Sequence, residues 1–553
     1  MNDDNLGDFA RPITTSSKNA QASFNRGLVW CYAYFHEEAI DCFKKAVEAD
    51  LACAMAYWGI AYAAGPNYNL PWKRHDRTMQ KDAMATCFDA VQSALGNLDN
   101  ATPAERALIE ALATRFPQRE PADLKVMNNW NVDFVTAMET IQKAYPNDLD
   151  IRTVLVEAIM NLTPWAMWDQ TTGEPAEGAG TKAAQALLEE AMDADPAAMR
   201  HPGILHLYVH LMEMSQTPEL ALKAGDVLRD LVPDAGHLIH MPTHIDIQCG
   251  HYQNVYAWNR KAIIADRKAR EKHGDFNIYT GYRIHNYHFA AYGAMFLGQF
   301  KPAWTAAREL VDNLPEDLLR ITSPPFADFY ESYLSVWVHV LIRFGRWQQI
   351  IDEPLPQDAN LYAYLTATLH YAKGVAYAAT GDVTKADAAR ADFQTARDAV
   401  PDTRRMHNVR CSAQLEVATA MLDGEIEYRK ANYDLAFAHL REAVALEDAL
   451  PYDEPWGWMQ PTRHALGALL LEQGHVDDAE ATYREDLGLG GTLTRAQVHP
   501  DNVWSLRGLN DCLKAQGFSD TPEARLIAQR LALAEARADK RVGASCFCAA
   551  AAV

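Results

Sequence analysis

The sequence predicts an all-α fold built from tandem helix pairs, and three observations carry this prediction. Apolar residues recur every three or four positions through most of the chain, as in the segments EEAIDCFKKAVEA and TRHALGALLLEQG, and this is the period of an amphipathic helix. The alternation typical of strands is almost absent. Short turns with Gly, Pro or Asn separate the helical segments, and a spacing of small and bulky residues repeats along the chain.

The repeated spacing identifies the unit of the fold. Gly27, Ala39, Phe43 and Ala46 are separated by intervals of 12, 4 and 3 residues. The same intervals recur in full at Gly424, Ala436, Leu440 and Ala443 and in part at Gly467, Ala479 and Tyr483. Small residues at such positions let two antiparallel helices approach closely, and the bulky residue fills the remaining gap.

This pattern resembles that of tetratricopeptide-repeat (TPR) proteins, whose unit is a helix pair of 34 residues. Pro233 and Pro315 fall where the TPR unit often ends in proline. The resemblance covers roughly residues 20–64 and 200–520. It implies a TPR-like α-solenoid, a right-handed superhelix of helix pairs with a concave groove.

The domain organisation predicted from these repeats is a single α-solenoid over residues 20–535. A disordered segment over residues 1–19 is expected before it and a tail over residues 536–553 after it. Residues from about 65 to 200 are helical but irregular, and the units that line the groove span about 201–345. Cys546 and Cys548 lie in the tail, which is rich in small residues and is expected to be disordered.

Composition and charge restrict the functional class. The net charge is −22, and such an acidic surface repels phosphate backbones, so general nucleic-acid binding is not expected. The sequence contains no run of 18 apolar residues, the length needed to span a membrane, and the N-terminus lacks the apolar segment of a signal peptide. Nine cysteines without framework spacing indicate reduced thiols. We therefore expect a cytoplasmic protein.

Histidines concentrate between residues 201 and 288, at positions that usually line the groove of TPR proteins. A register set by small residues and prolines alone starts units at Pro202, Gly236 and Ile284. We call a position counted from the start of the unit a station. Stations 2, 5 and 9 of each first helix lie on one face of that helix. Seven of these nine stations are histidine, whereas about 0.3 would be expected by chance. The seven are His206, His210, His237, His240, His244, His285 and His288. The following unit adds His339 at station 9.

Seven converging imidazoles predict a metal centre in the groove. Neutral imidazole is the commonest metal ligand, and spacings of three or four residues place two donors over one ion. Two other interpretations stay open, namely histidines satisfied within the core and a groove that binds acidic peptides. An imidazole-rich set without cysteine favours copper; zinc is an alternative, as is iron through a facial set of His206, His210 and Glu213. Histidines in helical pairs resemble the ligand pattern of a coupled dicopper centre, so one ion and two ions both stay open.

Longer segments resemble a group of long TPR proteins from bacteria and fungi. The segments that carry this resemblance are HPGILHLYVHLME, GHLIHMPTH, HNYHF, CAMAYWGIAYAAGPNYN and YDEPWGWMQPTRHALGALL. The resemblance spans most of the chain. It implies the same boundaries and the same histidine site, and it names no reaction.

The favoured hypothesis is a metal-dependent enzyme that oxidises a small organic molecule with dioxygen. Glu213, at station 12, is the candidate base or an additional ligand, and Tyr292, on the histidine stripe, is the candidate to touch the substrate. A metal-dependent hydrolase or lyase is the nearest enzymatic alternative. A non-catalytic TPR scaffold that binds a protein partner through its groove is the alternative from another class.

Overall fold

The computed structural model describes residues 4–454, 456–539 and 542–549, and it is 67% helical with almost no strand. The predicted all-α class is therefore confirmed. The chain divides into two compact units, where the sequence predicted a single solenoid. The first comprises the described residues of Met1–Ile245 with Lys261–Tyr279, and the second those of Asp246–Arg260 with Thr280–Val553.

The first unit consists of α-helices, which are numbered in chain order. Its helices are α1 (Lys18–Tyr32), α2 (His36–Ala49), α3 (Ala54–Ala64), α4 (Arg77–Leu95), α5 (Pro103–Arg115), α6 (Leu124–Ala144), α7 (Leu149–Met160), α8 (Thr181–Ala194), α9 (Pro202–Met212), α10 (Leu222–Leu231) and α11 (Gly236–His240). Short 3-10 turns lie at Trp72–Arg74, Leu98–Asn100, Ala198–Arg200 and Pro218–Ala221. Three helices contain residues of both units, α12 (Pro242–Gln248), α13 (Tyr252–His273) and α14 (Tyr279–Phe296).

The second unit continues with helices and adds one small hairpin. Its helices are α15 (Phe300–Asp312), α16 (Glu316–Leu319), α17 (Phe326–Tyr330), α18 (Val336–Arg343), α19 (Trp347–Asp352), α20 (Ala363–Ala379), α21 (Val383–Asp398), α22 (Cys411–Arg429), α23 (Tyr433–Asp448), α24 (Thr462–Glu472), α25 (Val476–Asp486), α26 (Val503–Ala515) and α27 (Pro522–Glu535). The antiparallel strands β1 (Arg405–Met406) and β2 (Val409–Arg410) form the hairpin, and 3-10 turns lie at Glu331–Ser335 and Arg495–Gln497.

Close helix pairing rests on the small and bulky residues that the sequence repeats. A Cβ atom at Gly27 of α1 would lie 2.7 Å from the ring of Phe43 in α2. Gly424 and Leu440 meet in the same way between α22 and α23, with a separation of 2.7 Å. Since protein interiors are close-packed, any larger side chain at these glycines would force the helices apart. The repeat spacing therefore marks the contacts that hold each pair together.

Most turns inside the helix pairs use a glycine with a left-handed backbone. The residue two positions after the first helix has a positive φ at Gly298, Gly345, Gly381 and Gly474. Tyr34 takes this position between α1 and α2, with φ of 55°. A tyrosine in this conformation carries strain of about 1 kcal/mol or more, which the surrounding structure must offset.

Both terminal segments differ from the predicted disorder. Arg11 donates to the carboxylates of Asp148 and Asp150 at 2.7 and 2.8 Å, and Thr14 donates to Glu105 at 2.6 Å. The described N-terminal residues therefore lie against the first unit, because their polar groups find carboxylate partners there. Residues 1–3 lie outside the described residues.

The described part of the tail, residues 542–549, packs on the second unit. The ring of Phe547 lies against Gly345, and Arg343 donates to the carbonyl of Ser545. Cys546 and Cys548 form a disulfide, so the expectation of reduced thiols is wrong for this pair. Residues 540, 541 and 550–553 lie outside the described residues.

Two further details refine the predicted repeats. Between the units that start at Gly236 and Ile284, α13 extends to His273 and a short loop precedes α14. The first helix of the unit at Gly236 is broken, because Pro242 cannot donate a backbone hydrogen bond. α11 therefore ends at His240 and α12 begins at Pro242. Within the part of the chain that the structure describes, every helix is too short or too polar to cross a membrane.

Candidate metal centre

Helix α9 brings two of the predicted histidines together. His201 caps its start, since the ring Nδ1 accepts from the backbone N–H of Ile204 at 3.2 Å, and Pro202 follows at the first helical position. His206 and His210 are four residues apart and therefore lie one turn apart on the same face. Their ring centroids are 4.8 Å apart.

The broken helix α11–α12 supplies three more histidines. His237 and His240 lie three residues apart in α11, with ring centroids at 5.9 Å. His244 follows in α12, one turn beyond His240, and these two rings are 4.7 Å apart. The break at Pro242 does not disturb the spacing of the imidazoles. We call the five imidazoles and Glu213 the histidine centre; its members are His206, His210, Glu213, His237, His240 and His244.

Ring nitrogens of the histidine centre meet in two close pairs. The Nε2 atoms of His206 and His237 are 3.1 Å apart, and those of His240 and His244 are 2.8 Å apart. Two nitrogen ligands on one ion, each bonded at about 2.0–2.1 Å, lie roughly 3 Å from each other. Both pairs therefore have the separation of neighbouring ligands of a metal ion.

Backbone and carboxylate acceptors fix the orientation of three of these rings. The Nδ1 atom of His206 donates to the carbonyl of Tyr32 at 2.6 Å. Glu213 accepts from His210 Nδ1 at 2.9 Å with one oxygen and from His244 Nδ1 at 2.6 Å with the other. A carbonyl or carboxylate oxygen can only accept, so each Nδ1 carries the proton and each Nε2 carries the lone pair. This arrangement is typical of metal-binding histidines that a carboxylate orients.

Burial of the histidine centre is complete, since each member is at most 2% exposed. His206, His210 and His237 each offer a ligand atom, and these atoms lie within 4.8 Å of one another. Within the described residues the Nε2 atom of His210 has no hydrogen-bond partner. A buried nitrogen lone pair that faces other imidazoles is suited to hold a cation. The residues present therefore fit a metal ion.

The surroundings of His237 favour the neutral form of its ring, which is the form that binds a metal. Burial, reinforced by the neighbouring rings of His206 and His240, lowers the pKa of His237 well below its ordinary value. A histidine with a lowered pKa is neutral at physiological pH, and only the neutral ring binds a metal.

Tyr34 is a site residue that the sequence analysis missed. Its ring packs on His206 at 4.6 Å between centroids and stacks on His237 at 5.6 Å. Burial raises the pKa of Glu157 on α7, while a hydrogen bond from Tyr62 and the charge of Arg115 oppose this shift. The signal that could have found Tyr34 is its position in the turn, where most of the other repeats have glycine.

The two remaining predicted ligands, His285 and His288, belong to the second unit. They lie three residues apart on α14, with ring centroids at 5.9 Å. Burial, with the rings of His285, His407 and His339 nearby, lowers the pKa of His288 well below its ordinary value. The structure thus brings five of the seven predicted histidines together in the first unit and pairs the other two in the second.

The structure shows which groups Glu213 and Tyr292 contact. Both oxygens of Glu213 accept hydrogen bonds from imidazoles, so this residue orients His210 and His244. The Tyr292 hydroxyl hydrogen-bonds with the backbone carbonyls of Trp456 and Trp458 at 2.6 and 3.1 Å. Its contacts therefore hold the loop that contains these two tryptophans.

No protein-family model and no curated protein matches this chain. Three solved structures that match it over most of its length are all of TPR proteins. They are the crystal structure of the yeast Tom70 (13% identity, TM-score 0.30, 93% of this chain and 99% of that chain), a monomeric mutant of IFIT1 with Gppp-AAAA (12%, 0.28, 94% and 91%) and Naa15/Naa10 bound to HypK-THB (13%, 0.21, 94% and 72%). Similarity at this level carries no argument about what this chain binds or does.

Proposed function

We propose that the histidine centre of the first unit binds a transition-metal ion and that the protein uses this ion to oxidise a small organic molecule with dioxygen. The observation that supports this most directly is the hydrogen bonding of Glu213. One buried carboxylate orients both His210 and His244, so that their Nε2 lone pairs are available to an ion. These rings differ from hydrogen-bonded core histidines at the distal nitrogen, since Nε2 of His210 has no hydrogen-bond partner among the described residues and Nε2 of His244 lies 2.8 Å from that of His240.

Copper is the expected ion, with zinc second. Five of the six members of the histidine centre offer imidazole nitrogens, which suit copper and zinc. The facial set that favoured iron required Glu213 as a ligand, and both of its oxygens are engaged with imidazoles. Iron therefore falls behind zinc in this proposal.

The proposed reaction has a simple balanced form. A substrate gives up two electrons and two protons, and dioxygen takes them to become hydrogen peroxide. Tyr34 and Glu157 are the chain's own candidates for moving a proton near the centre, since the ring of Tyr34 packs on His206 and the charge of His210 acts on the buried carboxyl of Glu157.

A second candidate function is a structural metal site in a TPR interaction scaffold. The observation that favours it is the complete burial of the histidine centre, because structural metal sites are closed whereas catalytic sites keep a position open. A hydrolase with a zinc-bound water is the remaining enzymatic alternative.

Metal analysis of protein purified without a histidine tag tests these candidates. The wild type is compared with the double variant His210→Gln, His244→Gln and with His475→Gln, a control that changes an exposed histidine. We expect one or two equivalents of copper in the wild type and the control, and none in the double variant. Peroxide production during a substrate screen under oxygen should follow the copper content.

Each other outcome selects a different conclusion. Zinc in place of copper contradicts the oxidation and favours hydrolysis or a structural role. Bound copper without peroxide formation favours the scaffold. Equal metal content in the wild type and in a folded double variant, or no metal in either, overturns the metal centre.

A further inference from the structure

A segment of the tail lies across the first helices of several helix pairs in the second unit. It comprises Val542–Ala549, and we call it the tail segment. A cavity of about 40 Å³ beside it is lined by residues of α18, α20, α22 and α24 together with Cys546, Phe547 and Cys548. Helices stacked in this way form the concave surface of a solenoid, which is the surface that such proteins use for binding. The tail segment therefore occupies a position suited to a bound peptide.

Two arginines hold the backbone of the tail segment. Arg343 of α18 donates to the carbonyl of Ser545, and Arg429 of α22 donates to that of Cys548. Hydrogen bonds from a charged donor are roughly twice as strong as those between neutral groups. Since every peptide has backbone carbonyls, these contacts bind the chain itself and leave the choice of sequence to the side chains.

The side chain of Ser545 is recognised by hydrogen bonds. Ser545 is 1% exposed, and its hydroxyl donates to the backbone carbonyl of His464 at 2.7 Å. The hydroxyl of Tyr483 on α25 lies 2.6 Å from the same serine oxygen. A carbonyl can only accept and a serine has one O–H, so Tyr483 is the donor in this contact. A residue without a hydroxyl in place of Ser545 would leave the buried Tyr483 hydroxyl without its acceptor.

Phe547 fills a space that a glycine leaves open. A Cβ atom at Gly345, in the turn after α18, would lie 2.8 Å from that of Phe547. The ring of Phe547 also packs on Trp504 of α26, with 6.1 Å between centroids and 67° between the planes. An aromatic pair in such an edge-to-face arrangement is favourable beyond the area that it buries. The contacts therefore favour an aromatic residue two positions after the serine.

A disulfide closes a small ring around Phe547. Cys546 and Cys548 are bonded, and the backbone N–H of Cys548 donates to the sulfur of Cys546 at 3.2 Å. The ring restricts the free segment to few conformations, so less entropy is lost when it binds. A dithiol opens the ring by exchange: the disulfide takes up two electrons and two protons to become two thiols, and the dithiol becomes a disulfide. Reduction should therefore weaken the binding of the tail segment.

We propose that the second unit has a peptide-binding groove, which the tail segment occupies as an intramolecular competitor. We call this the tail groove; its members are Arg343, Gly345, Arg429, Tyr483 and Trp504. The partner is a protein segment of the same chemistry, with a serine followed two residues later by an aromatic residue in a tight turn. Opening of the disulfide frees the tail groove for this partner. The rival explanation is a tail segment that packs permanently as part of the second unit.

Binding of a labelled peptide to the full-length protein tests this proposal. The peptide has the sequence VGASCFCA with its disulfide closed, and fluorescence anisotropy measures its affinity. The double variant Cys546→Ser, Cys548→Ser keeps the tail but cannot close the ring. We expect it to bind the peptide about 10-fold more tightly than the wild type, because its competitor loses the constraint of a loop of about three residues. Cys249→Ser, which changes a free cysteine outside the tail, should bind as the wild type does.

A variant of the tail groove separates recognition from general packing. Tyr483→Phe is made in the double variant, because in the wild type it would weaken the competitor and the peptide alike. The affinity for the peptide should fall about fivefold, the effect of one hydrogen bond. A peptide with alanine in place of the serine should bind more weakly to the double variant, and Tyr483→Phe should then have little further effect.

The remaining outcomes contradict the proposal. Equal affinity of the peptide for the wild type and a folded double variant, or no binding to either, overturns the tail groove and favours permanent packing. Unchanged affinity in a folded Tyr483→Phe overturns it as well. Circular dichroism verifies folding. If the double variant fails to fold, Phe547→Ala decides by the same criterion, with Phe518→Ala as the control at an exposed phenylalanine.

Discussion

Two buried carboxylates, one in each unit, each accept hydrogen bonds from two histidines, yet their surroundings differ. Glu213 binds His210 and His244, whose other nitrogens remain available to an ion. Asp486 binds His464 Nε2 at 3.0 Å and His499 Nδ1 at 2.8 Å. In both cases a carboxylate orients imidazoles, so the comparison depends on where the second nitrogen of each ring lies.

Around Asp486 those second nitrogens do not converge. Arg343 donates to Nδ1 of His464 at 2.8 Å, and the ring of His499 packs on Trp456 with 4.1 Å between centroids. Asn502 and Ser505 also donate to Asp486, at 2.9 and 2.6 Å. The group around Asp486 is thus a hydrogen-bonded network without a place for an ion. A histidine paired with a buried carboxylate indicates a metal site only when its distal nitrogen meets other ligands.

The largest expected effect is on stability, at Asp486. Asp486→Ala removes the shared acceptor of two imidazoles, an amide and a hydroxyl, all of them buried. We expect a loss of about 3–5 kcal/mol in the free energy of unfolding, the usual consequence of breaking a buried charged network. Metal content should not change. Denaturant unfolding followed by metal analysis measures both quantities.

Asp478→Ala is the matched control for this prediction, since Asp478 lies on the same helix α25 and forms an exposed ion pair with Arg441 at 2.9 Å. Its removal should cost at most about 1 kcal/mol. Loss of metal in Asp486→Ala while the protein remains folded would contradict the assignment of a structural role.

The next effect is on metal affinity, at Glu213. Glu213→Gln places an amide N–H opposite one of the two Nδ1–H groups, so that ring must move its proton to Nε2 and can no longer ligate there. We expect the affinity for copper or zinc to fall about 10- to 100-fold. Competition with a chelator of known affinity measures the change.

Glu219→Gln, an exposed position shortly after Glu213 in the chain, is the control and should bind as the wild type does. If Glu213→Gln also retained its full affinity, the two regions would not differ in the way proposed.

Much of the fold could be predicted because its key contacts are local in sequence. Gly27 meets Phe43 within one helix pair, and Gly424 meets Leu440 in the same way, so a fixed interval reveals both. The five histidines of the centre were predicted for the same reason, since their spacing follows the helical period. Pro242 is also present in the sequence, but matching the repeats by their residue spacing does not detect a helix break that leaves this spacing unchanged.

The rest depends on contacts between distant segments or on individual atoms. Its place at station 12 predicted that Glu213 lies on the same helical face as His206 and His210. The residue spacing does not show whether its oxygens contact a metal ion or two imidazoles. Ser545 lies far from Arg343 in sequence, in a tail whose composition does not predict a contact with the helices. Such contacts depend on tertiary structure, and a single sequence does not encode them in any short interval.

The smallest expected effect concerns burial alone, at His75, which belongs neither to the histidine centre nor to the network around Asp486. Burial lowers its pKa to about 4, although the nearby backbone of Leu70 and the charge of Asp76 oppose this shift. The unfolded chain takes up a proton near pH 6.5, whereas the folded chain does so only near pH 4. The stability due to neutral His75 is therefore present above pH 6.5 and is lost as the pH falls toward 4.

Between pH 7 and pH 5.5 this loss amounts to about 1 kcal/mol, from the linkage relation for a histidine with these two pKa values. His75→Phe keeps an aromatic ring beside Trp72, which packs on His75 at 5.1 Å, and removes the titration. The wild type should therefore lose about 1 kcal/mol more than the variant over this pH range in denaturant unfolding. An equal loss in both proteins would show that His75 titrates normally in the folded state, and burial alone would then not explain why buried histidines of this chain stay neutral.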